Sequence, residues 1–164
     1  MRNAAVFAGL EGRSLLSVVD RLQEVRIPAR KEVFAEGEMG RTMYVVYKGE
    51  VEVRRQGPDG KPVAIVTLGP GECFGEMALV EMQARSGTVV ATKATVLYSL
   101  NNLDLYHLFK ADNYAYVIVL QNICRLLSRR LRKADSRITE FLSRGGKAPA
   151  ARRRSPEPKP RKRG

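Results

Sequence analysis

The sequence predicts a β-rich α+β fold: an antiparallel double-stranded β-helix (jelly roll) with a helix before it and further helices after it, the last one long. Three observations support this prediction. Between residues 25 and 99, short runs rich in Val, Ile, Thr and Tyr follow each other closely. Turn sequences such as GEMG, GPDGKP and GPGE separate these runs, which is typical of antiparallel sandwiches and barrels. Apolar residues at helical spacing stand on both sides of the block.

The elements follow in chain order. Residues 10–22 place Leu15, Leu16, Val18, Val19 and Leu22 at helical spacing and predict an amphipathic opening helix. The predicted strands are VRIPA, KEVFAEG, TMYVVYKG, EVEVRRQ, VAIVTLG, SGTVVAT and TVLYSL. Asn102 is placed to cap a helix after the last strand, and a longer helix is predicted from about Tyr114 to Leu142. We therefore expect a helical segment 1–22, a jelly roll with a hinge helix 23–112, a long helix 113–144 and a tail 145–164.

The net charge of +12 is located at the C-terminal end. Residues 1–112 hold 14 basic and 14 acidic residues, residues 113–144 hold 7 and 2, and residues 145–164 hold 8 and 1. Any attraction to a polyanion therefore belongs to the long helix and the tail. The tail GGKAPAARRRSPEPKPRKRG has the composition of a disordered segment. Residues 147–163 are candidates for non-specific nucleic-acid binding, with a merely solvated tail as the alternative.

Several function classes find no support in the sequence. No apolar run approaches the roughly 20 residues of a membrane span, and the N-terminus does not resemble a signal peptide, so we expect a cytoplasmic protein without a membrane partner. Cys73 and Cys124 lack metal-ligand spacing and are expected to be buried thiols. His107 has no nucleophile or carboxylate cluster nearby and is expected on a helix face. We expect neither an enzyme nor a metal or cofactor site.

The long helix carries an apolar stripe with the a/d spacing of a coiled coil. The stripe consists of Leu120, Cys124, Leu127, Leu131, Ala134, Ile138 and Phe141. It either packs on the protein's own sheet or pairs with a second copy. Because a helix of about 30 residues is about 45 Å long and overruns a small barrel, we favour a homodimer.

Two stretches, FGEMAL and ARSGTV, place a carboxylate and a guanidinium within one short segment. Arg85 supplies a planar cation suited to phosphate oxygens. Gly75 lets the backbone approach closely, and the amides of a helix that starts here would point at an anion. Glu76 supplies an acceptor for a sugar hydroxyl, while Ser86 and Gly87 add donors. This set suits a phosphate that bridges two ribose oxygens beside a free 2′-hydroxyl.

The two stretches resemble the phosphate-binding cassette of the cyclic nucleotide-binding domain family. KEVFAEGEMGRTMYVVYKGEVEVRR resembles the family's strand and hairpin segment, LGPGECFGE its approach to the cassette, and LSRRLRKADSRI its long C-terminal helix. The resemblance covers about Phe7 to Phe141, with several motifs in the right order. It implies a ligand, cAMP or cGMP, and a sensor whose long helix transmits ligand binding to an effector.

The resemblance also assigns roles within the cassette. It gives Glu76 to the ribose 2′-hydroxyl, Arg85 to the cyclic phosphate, and the remaining cassette residues to the phosphate oxygens: Gly75, Met77, Ala78, Ser86 and Gly87. Gly87 stands where the family usually has alanine, which we expect to loosen the loop slightly. Alanine at position 86 favours cAMP in the family, threonine favours cGMP, and serine occurs in cAMP binders, so we favour cAMP. The predicted base pocket contains Val66, Arg132 and Asp135.

Three functions follow from this reading. The first is a receptor whose hinge, Leu100 to Asn113, moves the long helix against a partner protein; Asn101, Asn102 and Asn113 are its expected flexible points. This is preferred because a basic tail stands where bacterial activators of the family continue into a DNA-binding domain. The second is a nucleic-acid-associated regulator that uses the basic tail. The third is a structural homodimer with a degenerate pocket.

Overall fold

The computed structural model describes residues 4–81 and 83–144. A 3-10 turn, Ala5–Phe7, comes before the first helix. The helices among the described residues are α1 (Gly12–Val19), α2 (Glu76–Glu81), α3 (Asn102–Ala111) and α4 (Asn113–Ser143). The strands are β1 (Gln23–Ile27), β2 (Glu32–Phe34), β3 (Thr42–Lys48), β4 (Val51–Gln56), β5 (Pro62–Leu68), β6 (Cys73–Phe74), β7 (Thr88–Ala91) and β8 (Thr95–Asn101).

These strands form two four-stranded antiparallel sheets. One has the order β1-β8-β3-β6 and the other the order β2-β7-β4-β5. Strands that are distant in sequence are neighbours in both sheets, as β3 and β8 illustrate by pairing Tyr44 with Ser99. The predicted β-rich fold with flanking helices is confirmed.

Two apolar clusters hold these elements together. One fills the space between the two sheets with Phe34, Val46, Val51, Leu68, Phe74, Val89, Ala91 and Leu97. The other joins the N-terminal segment, α1, α3 and the first half of α4 to one face of the first sheet, around fully buried Phe7, Met43 and Leu108. Alternate residues of β3 therefore have different neighbours: Met43 and Val45 lie in the helical cluster, whereas Val46 lies between the sheets. This follows from the period of two in a strand.

The opening helix is shorter than the predicted span of residues 10–22. Glu11 is extended, and Gly12 begins α1 with φ +52°, a conformation that glycine adopts readily. At the other end, the amides of Arg21 and Leu22 bond to Val18 and Val19, three residues back, so the chain leaves the α-helix in a tight turn. The apolar spacing predicted the burial of Leu15 and Val18, but Leu16 is 59% exposed and the predicted ends are wrong.

The helix cap after the last strand lies at Asn101 rather than at Asn102, which was predicted. Asn101 is extended, and its side chain accepts a hydrogen bond of 2.9 Å from the amide of Asp104. The Asp104 carboxylate accepts in return from the Asn101 amide at 3.3 Å, which completes a capping box. Asn102 fails as the cap because it already belongs to α3. The flexibility expected at these asparagines stays a prediction.

Helix α4 packs against the core along its first half and is exposed from residue 131 onward. In its first half, Ala115, Val119, Asn122 and Ile123 are buried. Of the predicted stripe, Leu120 and Leu127 are half-buried and pack against the same helical cluster, while Leu131 and Ile138 are 63% and 57% exposed. Cys124 is exposed, so the prediction of a buried thiol there is wrong, whereas Cys73 is buried as predicted. Consecutive residues of a helix point in directions about 100° apart, so Ile123 lies in the core while Cys124 lies outside it.

The chain divides after Leu127 into two compact units. The domain boundaries expected at residues 22, 112 and 144 stay a prediction, and the basic tail 145–164 lies outside the described residues. None of the helices described is long and apolar enough to cross a membrane.

Candidate functional site

The first half of the predicted cassette forms a tight turn into α2. Strand β6 ends at Phe74, and Gly75 then adopts φ +74°, a conformation that residues with a Cβ rarely adopt. Glu76 begins α2 and is only 2% exposed, Ala78 is buried, and Met77 points outward with 45% exposure. A buried carboxylate at a helix start requires polar surroundings, so the position of Glu76 fits the predicted binding role.

Backbone hydrogen bonds place Arg85 beside the loop between β2 and β3. The Arg85 amide donates to the Glu38 carbonyl at 2.8 Å, and the Gly37 amide donates to the Arg85 carbonyl at 2.9 Å. An isolated antiparallel bridge between Met39 and Ala84 continues this pairing. Both backbone groups of Arg85 are therefore satisfied by the loop, which fixes the position of its backbone.

The Arg85 guanidinium is buried among backbone carbonyls and an aromatic ring. Its Nη1 donates to the carbonyl oxygens of Thr42 at 2.8 Å and Gly75 at 3.3 Å. Its Cζ lies 4.0 Å from the centroid of the Phe34 ring. Burial lowers the pKa of Arg85 below its ordinary value, while Tyr44, Glu38 and Glu76 act in the opposite direction. The side chain is 8% exposed, and at neutral pH it remains a desolvated cation.

Two glycines make room for this guanidinium. A Cβ on Gly75 would lie 2.7 Å from Nη1 of Arg85, and a Cβ on Gly40 would lie 2.5 Å from its Cζ. Real side chains do not approach so closely, so any residue other than glycine would displace the cation. The predicted cassette residues Gly75 and Arg85 are thus brought into direct contact across the ten-residue segment.

Ser86 and Gly87 complete the second half of the cassette. The exposed Ser86 hydroxyl lies 4.0 Å from the Met77 sulfur, which brings the two halves together. Gly87 is buried, and a Cβ there would lie 2.7 Å from the Arg54 carbonyl oxygen. The close approach of β4 therefore leaves no space for the family's usual alanine unless the backbone shifts. The slight loosening of the loop expected from glycine stays a prediction.

Sequence reasoning did not identify Phe34, Gly40 and Thr42 as neighbours of Arg85. The sequence places Phe34 in the predicted strand KEVFAEG, which indicates burial but no contact with Arg85. Gly40 belongs to the turn sequence GEMG, which predicts a turn and nothing further. Thr42 contributes a backbone oxygen, which every residue type possesses, so the sequence holds no signal for it.

The base pocket stays a prediction. Val66 is half-buried in β5 and packs against the cluster between the sheets. Arg132 and Asp135 are exposed on α4 beyond Leu127, in the second unit of the chain.

Comparison with known proteins agrees with this geometry. The family described as "Cyclic nucleotide-binding domain" matches residues 24–112, more than half of the chain, and this match includes the whole cassette. The chain belongs to the cyclic nucleotide-binding domain family. The resemblance stated from the motifs is thereby confirmed.

The chain is similar in sequence and structure to named regulatory proteins of this family. It is 33% identical over 139 residues to the cyclic AMP receptor protein of Thermus thermophilus, a match that covers 82% of this chain and 61% of that protein. It is 27% identical to a CRP-like cAMP-activated global transcriptional regulator of Mycobacterium tuberculosis, covering 87% of this chain and 62% of the regulator. The crystal structure of the Thermus thermophilus catabolite activator protein superposes with a TM-score of 0.76 at 33% identity, over 85% of this chain and 63% of that one.

These relatives are regulatory proteins rather than enzymes by name. The chain spans about three fifths of their length. It therefore carries a cyclic nucleotide-binding regulatory domain, and what the complete relatives do is considered for this chain only as a proposal.

Proposed function

We propose that this protein is a cytoplasmic sensor that binds a cyclic nucleotide, cAMP in preference to cGMP, and passes the signal to a partner protein through its C-terminal helix. The observation that carries the proposal is the buried guanidinium of Arg85. It is hydrogen-bonded to the Gly75 carbonyl, at the turn where the buried Glu76 begins α2. A desolvated cation beside a buried carboxylate is costly for folding alone, and such sites mark functional surfaces.

The proposed chemistry assigns one part of the ligand to each part of the cassette. Arg85 pairs with the cyclic phosphate, and the Met77 and Ala78 amides, in the first turn of α2, bind its oxygens. Ser86 and Gly87 donate to the phosphate from the other side. Glu76 accepts the hydrogen bond of the ribose 2′-hydroxyl. Because Arg85 and Glu76 are buried, the bonds that they make are stronger than they would be on an exposed surface.

The preference for cAMP rests on Ser86 and on the relatives. Two of the relatives that the chain resembles are named for cyclic AMP. Serine at position 86 occurs in cAMP binders of the family, whereas threonine there favours cGMP. We further propose that Val66, Arg132 and Asp135 surround the base.

Signalling is proposed to use the hinge and α4. Capture of the ligand would pull the cassette toward the hinge, Leu100 to Asn113, and shift the population of helix positions. The shift cannot exceed the difference in ligand affinity between those positions. The exposed stripe that includes Leu131 and Ile138 is proposed to pair with a second copy, and the partner protein would recognise the altered dimer.

Parallel calorimetric titrations with cAMP and cGMP test the proposal. We expect micromolar or tighter binding of cAMP, weaker binding of cGMP, and no measurable binding by Arg85→Ala. Arg26→Ala is the matched control, because Arg26 is an exposed arginine of β1 whose ion pair with Glu24 lies at the surface. Absence of binding by the wild-type protein would refute the sensor and leave a structural homodimer with a degenerate pocket.

A further inference from the structure

We propose that Phe34 is a positioning residue for Arg85: a cation–π contact with its ring holds the guanidinium in the orientation that receives the ligand's phosphate. This inference deepens the proposed function and rests on it. The guanidinium carbon lies 4.0 Å from the Phe34 ring centroid, well inside the roughly 6 Å limit of such contacts. Both side chains are only 8% exposed, so water weakens the attraction little.

The Phe34 ring is itself held in place by two other aromatic rings. Its centroid lies 6.1 Å from that of Tyr44 and 5.8 Å from that of Phe74. Tyr44 and Phe74 stack on each other at 5.4 Å, where β3 and β6 pair. Such pairs favour fixed ring orientations. Phe34 therefore offers Arg85 a rigid face rather than a mobile side chain.

The other contacts of the guanidinium leave part of it available to an anion. Nη1 is occupied by the carbonyl oxygens of Thr42 and Gly75. Within residues 4–81 and 83–144, no acceptor is hydrogen-bonded to the Nε or Nη2 of Arg85. The ring and the carbonyls thus hold the cation while Nη2 remains for a phosphate oxygen.

An aliphatic residue at position 34 could fill the same volume but would not attract the cation. The negative face of an aromatic ring offsets part of the desolvation of a buried guanidinium, whereas a leucine side chain offers only dispersion. A ring also limits rotation of Arg85, so less order is lost when the phosphate binds. Phe34 should therefore affect ligand affinity as well as stability.

The affinity of three variants for cAMP tests this role. We expect Phe34→Leu to bind about tenfold more weakly, and Phe34→Tyr, which keeps the ring, to stay within about threefold of wild type. Val33→Ala is the control for lost packing in the same strand, because Val33 also packs against the cluster between the sheets. Its affinity should stay near that of wild type. Equal affinities of Phe34→Leu and wild type, or equal losses in Phe34→Leu and Phe34→Tyr, would overturn the proposal.

A thermal-unfolding cycle without ligand separates this proposal from the proposed function. Phe34→Leu should lower the melting temperature more in the protein with Arg85 than in the Arg85→Gln variant, because only the protein with Arg85 has a cation for the ring to hold. Coupling together with wild-type cAMP binding supports Phe34 as a positioning residue. Coupling without wild-type binding refutes the sensor, and with it any role in ligand affinity. Binding without coupling refutes the Phe34 contact alone.

Discussion

Gly75 and Arg85 lie in such close contact that a Cβ on the glycine would be 2.7 Å from Nη1 of the arginine. The same glycine accepts a hydrogen bond from this nitrogen through its carbonyl oxygen. The residue that turns the chain into α2 therefore also fixes the depth at which the cation lies.

Gly75→Ala should both destabilise the protein and displace Arg85. The positive φ costs a residue with a Cβ about 1–3 kcal/mol, and the methyl group meets the guanidinium and the Thr42 carbonyl. We expect cAMP binding to weaken at least tenfold in titration calorimetry. Gly69→Ala is the matched control, since a Cβ at Gly69 meets nothing within 4 Å. A Gly75→Ala variant that binds as tightly as wild type would show that the close contact between Gly75 and Arg85 is not required for binding.

Gly87→Ala should lower the free energy of unfolding by about 1–3 kcal/mol. The added Cβ would lie 2.7 Å from the Arg54 carbonyl oxygen, so β4 or the cassette must shift. Urea denaturation of the variant and wild type measures the loss. An unchanged midpoint and slope would mean that the loop accepts alanine, the residue usual in the family, without strain.

Asp112 should make the stability depend on pH in the acidic range. The amide of Ala115, at the start of α4, is the main cause that holds the pKa of Asp112 below its ordinary value of 3.8, and the Ser14 side chain adds to it. A depressed folded pKa stabilises the protein above pH 3.8, and this contribution is lost as the pH falls through the folded value.

Asp112→Asn should accordingly flatten this part of the stability curve. Asparagine can still accept the Ala115 hydrogen bond, but it carries no charge to lose. Denaturation midpoints between about pH 6 and pH 2 measure the difference, with Asp59→Asn in an exposed loop as the control. Parallel curves for Asp112→Asn and wild type would contradict the assignment.

Asn122→Ala should cost about 1–3 kcal/mol of stability. The Asn122 amide is buried on α4 and donates to the carbonyl oxygens of Val6 at 3.2 Å and Ala8 at 2.8 Å, which fastens the N-terminal segment to the helix. Truncation removes both bonds to these carbonyls. Chemical denaturation is the measurement, and the exposed neighbour Gln121→Ala is the control. Similar free energies of unfolding for the two variants would show that the Asn122 hydrogen bonds do not stabilise the protein.

Ile138→Arg should convert the proposed dimer into a monomer. Ile138 lies on the exposed stripe of α4, and a charge within a coiled-coil seam opposes pairing. Sedimentation equilibrium of the wild type and variant measures the mass. Ser136→Arg adds the same charge at another exposed position of α4 and should leave the dimer intact. A monomeric wild type would refute the proposed pairing directly.

Much of the fold was predictable because it rests on local patterns. Alternating runs between turn sequences predicted the strands, and helical spacing predicted the burial of Leu15 and Val18 in α1 and the extent of α4 to within about one residue at each end. The boundaries were less predictable. Asn101 and Asn102 have the same cap propensity, and the choice between them depends on where β8 ends, which its pairing with β3 decides.

The sequence by itself determined the family and the cassette, because Gly75, Glu76, Arg85, Ser86 and Gly87 lie in one short segment where their order can be read directly. Only the tertiary structure decided what surrounds the cation. Phe34, Gly40 and the Thr42 carbonyl reach Arg85 through the pairing of the β2–β3 loop with the cassette, across a distance along the chain at which no local pattern operates. The exposure of Cys124 has a similar cause, since the side of α4 that packs against the core carries Ile123 and not Cys124. Local spacing thus specifies which groups are present, and long-range packing specifies which of them meet.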